Sequence, residues 1–128
     1  EITLHFLTPT AFRRKISEKI MMDATPDPKR IFRSLFKRWQ AFSTIPFDQD
    51  ESSFEELLSS IIILKMEDVK THSMNFGKYF QNGFTGKIKF GIEADDIKRE
   101  LCILADFAFF SGVGAKVTYG MGEVKRLL

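Results

Sequence analysis

A glycine-rich segment near the C-terminus has a spacing with chemical meaning. Two Gly-x-Gly pairs, Gly112 with Gly114 and Gly120 with Gly122, enclose five residues. Four glycines this close together let a backbone turn sharply and approach another chain. Exposed N–H groups in such turns can hold phosphate oxygens, and Lys116 adds a positive point charge between the pairs. The residues predict either a polyanion site or a tight loop that packs a helix against a sheet, and they leave both open.

Two familiar phosphate motifs do not describe this segment. The dinucleotide-binding fingerprint follows a strand and opens a helix, whereas here a predicted helix precedes the glycines and a predicted strand follows them. The P-loop needs a Gly-Lys-Ser/Thr run, and Lys116 stands between Ala115 and Val117. We therefore predict no cofactor.

Positive charge is concentrated in one stretch of the chain. Between Arg13 and Arg38, nine cations stand against three acidic residues, a local charge of +6, whereas the whole chain has a net charge of +2. A basic face for a polyanion and an ordinary solvated helix surface both explain this distribution. Arg33, Lys37 and Arg38 lie on the first predicted helix and can follow a nucleic-acid backbone. For Arg38, which precedes Trp39, packing or a surface ion pair is an equal alternative.

Further candidates for nucleic-acid contact lie outside that helix. Lys87 and Lys89 share one face of a predicted strand, where they can contact phosphates or, alternatively, suppress edge pairing. Tyr119, inside the glycine-rich segment, can stack on a base, whereas Tyr79 is expected to pack near a hairpin.

No residue pattern predicts a catalytic or metal centre. His5 and His72 have no tyrosine or lysine partner that their spacing guarantees, so we interpret both as strand histidines with local partners. The single cysteine, Cys102, and two separated histidines cannot complete a zinc site. The acidic run from Asp48 lacks the glycine and the glutamate of a calcium loop, and a helix N-cap with an acidic first turn explains it better.

Periodicity and turn residues predict the order β-α-β-β-α-β. The predicted elements are a strand over Ile2–Thr8, a helix opened by Asp27 and Pro28, strands over Ser60–Phe76 and Phe84–Ile92, a helix from Asp95 to a stop at Gly112, and a strand over Glu123–Leu127. Residues 11–26 are expected to be a long connection with room for a short extra element, Pro46 to Glu56 a loop, and Asn82-Gly83 a tight hairpin turn. This order is the ferredoxin-like, RRM-like α+β fold, an antiparallel sheet backed by two helices with the glycine-rich loop before the last strand.

Phenylalanine is unusually frequent, with 14 copies against one tryptophan and two tyrosines. The rings fall on the stripe of the first helix, which ends at Phe42, on the third strand, and on the end of the second helix at Phe107, Phe109 and Phe110. We therefore predict that they pack the core and do not form a stacking platform.

Length and composition predict a single cytoplasmic domain. The 128 residues, 44% hydrophobic and 28% charged, suffice for one core. The apolar runs are too short to span a bilayer, and one cysteine fits a reducing compartment. Because the chain begins at Glu1 without a methionine or a leader, we expect residues 1–128 to be one domain of a longer protein.

Several of these segments together resemble one protein family. The segments are the doubled glycine pairs enclosing Val113 and Met121, the first strand Phe6-Leu7-Thr8-Pro9-Thr10, the helix residues Ile31-Phe32, Leu35 and Arg38-Trp39, the run Gly83-Phe84-Thr85-Gly86, and the run from Leu104 to Gly112. In this order they resemble the repeat-associated Cas proteins and, among these, the CRISPR repeat-processing endoribonucleases of the Cas six type.

The resemblance implies a two-domain enzyme of which this chain is the C-terminal, RNA-binding domain. Such enzymes cut precursor CRISPR RNA within each repeat without metal, by attack of a 2′-hydroxyl on the adjacent phosphate. The catalytic histidine is implied to lie in the N-terminal domain, so we expect no catalytic residue here and no cleavage by this chain alone. The family's RNA-contacting element matches Gly112, Gly114, Lys116, Gly120 and Gly122. The implied partners are CRISPR repeat RNA, the N-terminal domain and other Cas subunits, with no membrane.

Two alternatives remain open at this point. The chain can belong to a non-catalytic RNA-binding subunit of a crRNA-guided complex. It can also be a ferredoxin-like module for protein association whose glycine loop is purely structural.

Overall fold

The computed structural model describes residues 1–78 and 80–128, and a four-stranded antiparallel sheet organises them. The strands are β1 (Ile2–Thr10), β2 (Phe12–Ile16), β3 (Lys19–Asp23), β4 (Ile61–Asn75), β5 (Phe80–Ile92) and β6 (Val124–Leu127), and the helices are α1 (Pro28–Phe42), α2 (Glu51–Leu58) and α3 (Lys98–Ser111). Short 3-10 helices cover Asp95–Ile97 and Val117–Tyr119. None of the helices in the described part of the chain has the length and apolar run needed to cross a membrane.

The main sheet has the order β4-β5-β1-β6, and the predicted ferredoxin-like fold is confirmed. Alternate residues of its strands, such as Leu4 opposite Ile88, point into one core that α1 and α3 cover. The opposite face of the sheet carries polar and charged residues, including His5 opposite Lys87. One face is therefore buried and the other is open.

Helix α1 begins as its sequence predicts. Asp27 is the N-cap and accepts a hydrogen bond of 3.0 Å from the Lys29 amide, and Pro28 occupies the first helical position. The residues that the helix buries recur at spacings of three and four, namely Ile31, Phe32, Leu35 and Phe36. The rings of Phe32 and Phe90, which lies on β5, pack edge to face with their centres 5.4 Å apart. The apolar stripe therefore packs α1 against the sheet.

The connection over residues 11–26 contains a complete hairpin of β2 and β3, which we call the basic hairpin. Its strands pair from Phe12 opposite Asp23 to Ile16 opposite Lys19. Ser17 and Glu18 turn with φ of 46° and 67°. Such a turn is usually signalled by asparagine or glycine, and neither is present, which is why the sequence predicted only a short extra element.

The prediction of a loop from Pro46 to Glu56 is wrong in its second half. Helix α2 starts at Glu51, after Asp50 accepts a hydrogen bond of 2.8 Å from the Ser53 amide. The helix buries Phe54, which stacks on Phe36 of α1 at 4.2 Å. An acidic N-cap and first turn thus belong to a helix that tertiary stacking stabilises.

The predicted turn at Asn82-Gly83 is also wrong. Both residues lie within β5, where Asn82 pairs with Ser73 and Gly83 with His72, and the turn lies beyond Asn75. Glycine is required at position 83 because a Cβ there would lie 2.7 Å from the Pro9 Cβ. The glycine permits β1 and β5 to approach and does not mark a turn.

Four phenylalanines depart from the predicted core, and one of them is Phe80 of β5, which is 68% exposed. Phe6, Phe32, Phe54, Phe84 and Phe90 are fully buried. Phe42 at the end of α1 is 80% exposed, and Phe109 and Phe110 at the end of α3 are 57% and 81% exposed. The stripe continues past the edge of the sheet, so these last rings have no core to enter.

The close approach at position 83 yields a stability test. Gly83→Ala should destabilise the protein by about 2 kcal/mol or more, as overpacking does. The neighbouring Asn82→Ala should change stability by less than about 0.5 kcal/mol, because Asn82 is an exposed strand residue. Urea denaturation of both variants measures this. Equal losses for the two would contradict the observed register and favour a turn.

Candidate nucleic-acid interface

A positively charged groove separates the basic hairpin from helix α1. It has a volume of about 610 Å³, and the glycine-rich loop closes one end. We call it the basic groove, and its cationic side chains are Arg13, Arg14, Lys15, Arg30, Arg33, Lys37, Arg38 and Lys116. Seven of the nine cations between Arg13 and Arg38 therefore share one concave surface with Lys116.

Three of these cations belong to the groove only because of the basic hairpin. Arg13, Arg14 and Lys15 follow Phe12, whose buried ring ties β2 to the core. They belong to the basic stretch of the sequence, but we did not predict them as site residues. The available signal was charge density alone, since nothing in the sequence showed that residues 12–23 fold back beside α1.

Carboxylates hold the walls of the groove in position. The Asp23 carboxylate of β3 forms ion pairs with the guanidinium groups of Arg30 at 2.6 Å and Arg14 at 3.5 Å. Because Arg30 belongs to α1, these pairs connect the hairpin to that helix. Two cations of α1 also have acidic partners on α2, since Glu55 pairs with Arg33 and Glu51 pairs with Lys37 at 3.3 Å. Within the described part of the chain, Arg13 and Lys15 form no ion pair. Their charge therefore faces the groove uncompensated.

Arg38 binds the glycine-rich loop directly. Its guanidinium donates to the carbonyl oxygens of Gly112 at 2.7 Å and Ser111 at 3.5 Å, and also to that of Gly114. Burial lowers the pKa of Arg38, yet the guanidinium stays charged at neutral pH. A cation at the C-terminal end of α3 also complements the helix dipole. The side chain thus joins α1, α3 and the loop.

The glycines of the loop are required by close contacts. A Cβ at Gly114 would collide with the Ala11 carbonyl oxygen, and one at Gly122 would collide with the Val113 carbonyl oxygen. Gly112 has φ of 70° and its Cβ would lie 2.8 Å from Val117. Gly120 also has a positive φ, of 91°, but faces open space. Three of the four glycines therefore let the loop pack against β1 and against itself.

The amides of these glycines donate within the protein. The acceptors are Ala108 O for Gly112 at 2.9 Å, Ser34 Oγ for Gly114 at 3.1 Å, Val117 O for Gly120 at 3.0 Å and Pro9 O for Gly122 at 3.0 Å. The expectation that exposed glycine N–H groups hold phosphate does not match this folded loop, because its packing uses those donors.

The loop presents a cation and one ring, Lys116 and Tyr119, and both lie against Phe76, which follows β4. Lys116 adopts a left-handed conformation, and its Nζ lies 5.4 Å from the ring centre of Tyr119 and 5.6 Å from that of Phe76. Tyr119 is 66% exposed and meets Phe76 edge to face. The loop apex therefore contacts the turn end of β4.

The structure divides the predicted site residues between two surfaces. Arg33, Lys37, Arg38, Gly114 and Lys116 line the basic groove. Lys87 and Lys89 lie on the open face of the sheet, where Lys89 forms an ion pair of 3.0 Å with Glu1. Tyr79 lies outside the described residues.

Both histidines lie on that open face. His5 and His72 line one shallow depression together with Asp68 and Lys70. His72 Nε2 lies 2.8 Å from Thr85 Oγ1, which is a local strand partner of the kind expected. Among the described residues, no three histidine, cysteine or acidic side chains come together in a way that could hold a metal ion.

The fold and the groove together define a ferredoxin-like domain with a cationic channel beside a glycine-rich loop. Residues 4–124 match the family model of the CRISPR-associated endoribonuclease Cas6. The chain belongs to this family, and the resemblance found in the sequence is confirmed.

Known members show how much of such a protein the chain represents. It is 28% identical over 123 residues to the CRISPR-associated endoribonuclease Cas6 of two Mycobacterium tuberculosis strains, covering 95% of this chain and 37% of each relative. Thermus thermophilus Cas6 (TTHB231) superposes with a TM-score of 0.89 at 35% identity, covering 98% of this chain and 52% of that chain. A Cas6 (TTHA0078) product complex gives 0.83 at 28% identity, covering 99% and 51%. The chain thus spans about a third to a half of the length of its relatives.

The contacts of Arg38 predict that replacing this residue lowers the stability of the fold, although the residue lines a groove open to solvent. Arg38→Gln should lower the free energy of unfolding by about 2–3 kcal/mol, because three carbonyl groups lose a charged donor. Lys37→Gln, one residue away, should cost at most about 1 kcal/mol, since Lys37 and Glu51 are both more than half exposed. Thermal unfolding of the two variants compares them, and a harmless Arg38→Gln would contradict the anchoring role.

The Asp23 contacts predict a pH-dependent stability. Hydrogen bonds from the amide and side chain of Thr25, and then from Arg30, hold the pKa of Asp23 well below its ordinary value of 3.8. A depressed pKa means that ionised Asp23 stabilises the fold above about pH 4 and that this contribution is lost as the pH falls further. Asp23→Asn should therefore be less stable than the parent at pH 7, with the gap narrowing below pH 4.

Melting temperatures from pH 7 down to pH 2.5 measure that gap. Asp96→Asn is the control, because exposed Asp96 forms no ion pair among the described residues. If the difference in melting temperature between Asp23→Asn and the parent stays constant over this range, the charge of the Asp23 carboxylate contributes nothing to stability.

Proposed function

We propose that the chain is the C-terminal, RNA-binding domain of a metal-independent endoribonuclease that processes precursor CRISPR RNA within its repeats. The observation that carries the proposal is the basic groove, in a chain that superposes with a TM-score of 0.91 on half of the protein chain of a Cas6 product complex. Phosphates of the repeat RNA would lie between the basic hairpin and α1.

The groove offers cations of two kinds. Arg13 and Lys15 carry charge that no carboxylate neutralises, and Lys116 stands at the loop end. Arg33 and Lys37 would exchange their carboxylates on α2 for phosphates as RNA enters. Each such contact releases counterions from the RNA, so the affinity falls as salt rises.

The glycine-rich loop serves this groove by placing its side chains. Gly112, Gly114 and Gly122 allow the packing that aims Lys116 at a phosphate and Tyr119 at a base, and Gly120 leaves space for the nucleic-acid backbone. Arg38 contributes positive charge to the groove while its hydrogen bonds anchor the loop. Lys87 and Lys89 extend the contact to the open face of the sheet.

Catalysis in this proposal uses residues outside positions 1–128. Activating a 2′-hydroxyl requires a base within hydrogen-bond reach, and we assign neither His5 nor His72 to that step. The chain by itself would bind RNA weakly without cutting it. The further partners are an N-terminal domain of the same polypeptide and other Cas subunits, all in the cytoplasm.

Salt-dependent binding tests the groove. In the full polypeptide, the triple variant Arg13→Ala, Lys15→Ala and Lys116→Ala should bind repeat RNA from the same genome about 10- to 100-fold more weakly, and the slope of log affinity against log salt should decrease by about 2. Fluorescence anisotropy between 50 and 200 mM salt measures both quantities. Lys98→Ala, which removes an exposed lysine outside the groove, is the matched control. Unchanged affinity of the triple variant would overturn the assignment of the groove.

The reaction itself separates the proposal from its alternatives. The full polypeptide should cut repeat RNA in EDTA and leave a 2′,3′-cyclic phosphate. Binding without cleavage would indicate the non-catalytic RNA-binding subunit, and absence of both would indicate the protein-association module. Cleavage by residues 1–128 alone would contradict the placement of the catalytic base elsewhere.

A further inference from the structure

Exposed aromatic rings form a second recess beside the basic groove. The ends of α1 and α3 and the glycine-rich loop enclose a space of about 530 Å³. Its aromatic lining, which we call the aromatic pocket, consists of Phe42, Phe107, Phe110 and Tyr119. Phe42 and Phe110 are 80% and 81% exposed, and such exposure is unusual for large apolar rings that line the same recess.

The pocket is built on a rigid base. Phe107 meets Trp39 edge to face at 5.2 Å, and the Trp39 indole donates a hydrogen bond of 3.1 Å to the Ile45 carbonyl oxygen. Phe110 meets Phe109 edge to face at 5.3 Å. A ring held as Phe107 is loses little conformational freedom when a flat ligand stacks on it.

The pocket and the basic groove share a wall. Arg13, Arg38 and Lys116 line both recesses. A ligand that fits both must combine a run of anions with flat apolar groups on the same chain. A nucleic-acid strand with unpaired bases has this composition, since its phosphates are charged and every base has a π-face. An acidic protein segment would place its charge on the groove but offers no comparable series of flat rings.

We propose that the aromatic pocket receives one or two unpaired bases of the RNA whose backbone occupies the basic groove. This inference rests on the proposed function of the groove. The polar side chains that line the pocket, apart from its cations, are Ser111, Thr118 and the Tyr119 hydroxyl. Bases are therefore held by stacking, with little reading of their edges, and the pocket selects unpaired over paired RNA more than one sequence over another.

Two forms of one RNA test the pocket in the full polypeptide. The first is the single-stranded repeat RNA of the same genome with 2-aminopurine at its unpaired positions, and the second is that RNA annealed to its complement. Phe42→Ala with Phe110→Ala should weaken binding of the first about tenfold or more and abolish the quenching of 2-aminopurine by the protein. Binding of the duplex and the salt dependence should stay unchanged, because no phosphate contact is lost.

A matched control and three further outcomes complete the test. Phe80→Ala removes a ring that is 68% exposed but lines neither recess, and it should bind both RNAs normally. Equal binding of the single strand by the double variant and the parent would overturn the pocket. A double variant that binds both RNAs normally but melts at a lower temperature would also overturn it, by showing that another part of the polypeptide covers these rings. If the parent protein binds neither RNA, the proposed function fails first.

Discussion

The contact between Arg38 and the carbonyl groups of residues 111–114 is the constraint on which the functional surface depends. It fixes the end of α3 to α1 and sets the direction in which the glycine-rich loop leaves the helix. The Arg38 side chain also lines both the basic groove and the aromatic pocket. Because the guanidinium donates to neutral oxygens, its charge is not cancelled by an acid. One residue therefore stabilises the loop and keeps its surroundings positive.

Charge pairing gives the groove its shape as well as its sign. Asp23 holds the basic hairpin against α1, and the acids of α2 pair with Arg33 and Lys37, which line the groove. The two pairs with α2, whose side chains are more than a third exposed, contribute little stability, but they decide which cations remain available to a ligand. The acidic residues of α2 thus leave the uncompensated charge of the groove to other cations, such as Arg13 and Lys15.

The sequence predicted the framework of the fold and missed the parts that depend on contacts between distant segments. The framework strands and the helix opened by Asp27 follow from alternation, periodicity and a local N-cap, all of which act over a few residues. The turn at Asn82-Gly83 was a local signal that a distant contact overrode, because Gly83 serves the approach of Pro9. Helix α2 has a local signal in its acidic N-cap, but its stability depends on stacking of Phe54 against Phe36, which no local pattern reveals.

The sequence by itself determined that this chain is a ferredoxin-like domain of the Cas6 family. The reason is that glycine spacing, apolar periodicity and the order of the segments can all be read along the chain without knowing which segments meet. It also supplied most candidate residues for RNA contact. Only the tertiary structure decided that Arg13, Arg14 and Lys15 face α1, that the amides of the loop glycines donate within the protein, and that Phe42 and Phe110 lie outside the core. The physical reason is that exposure, charge pairing and hydrogen-bond satisfaction are set by which segments meet, and segments far apart in a chain meet only when it is folded.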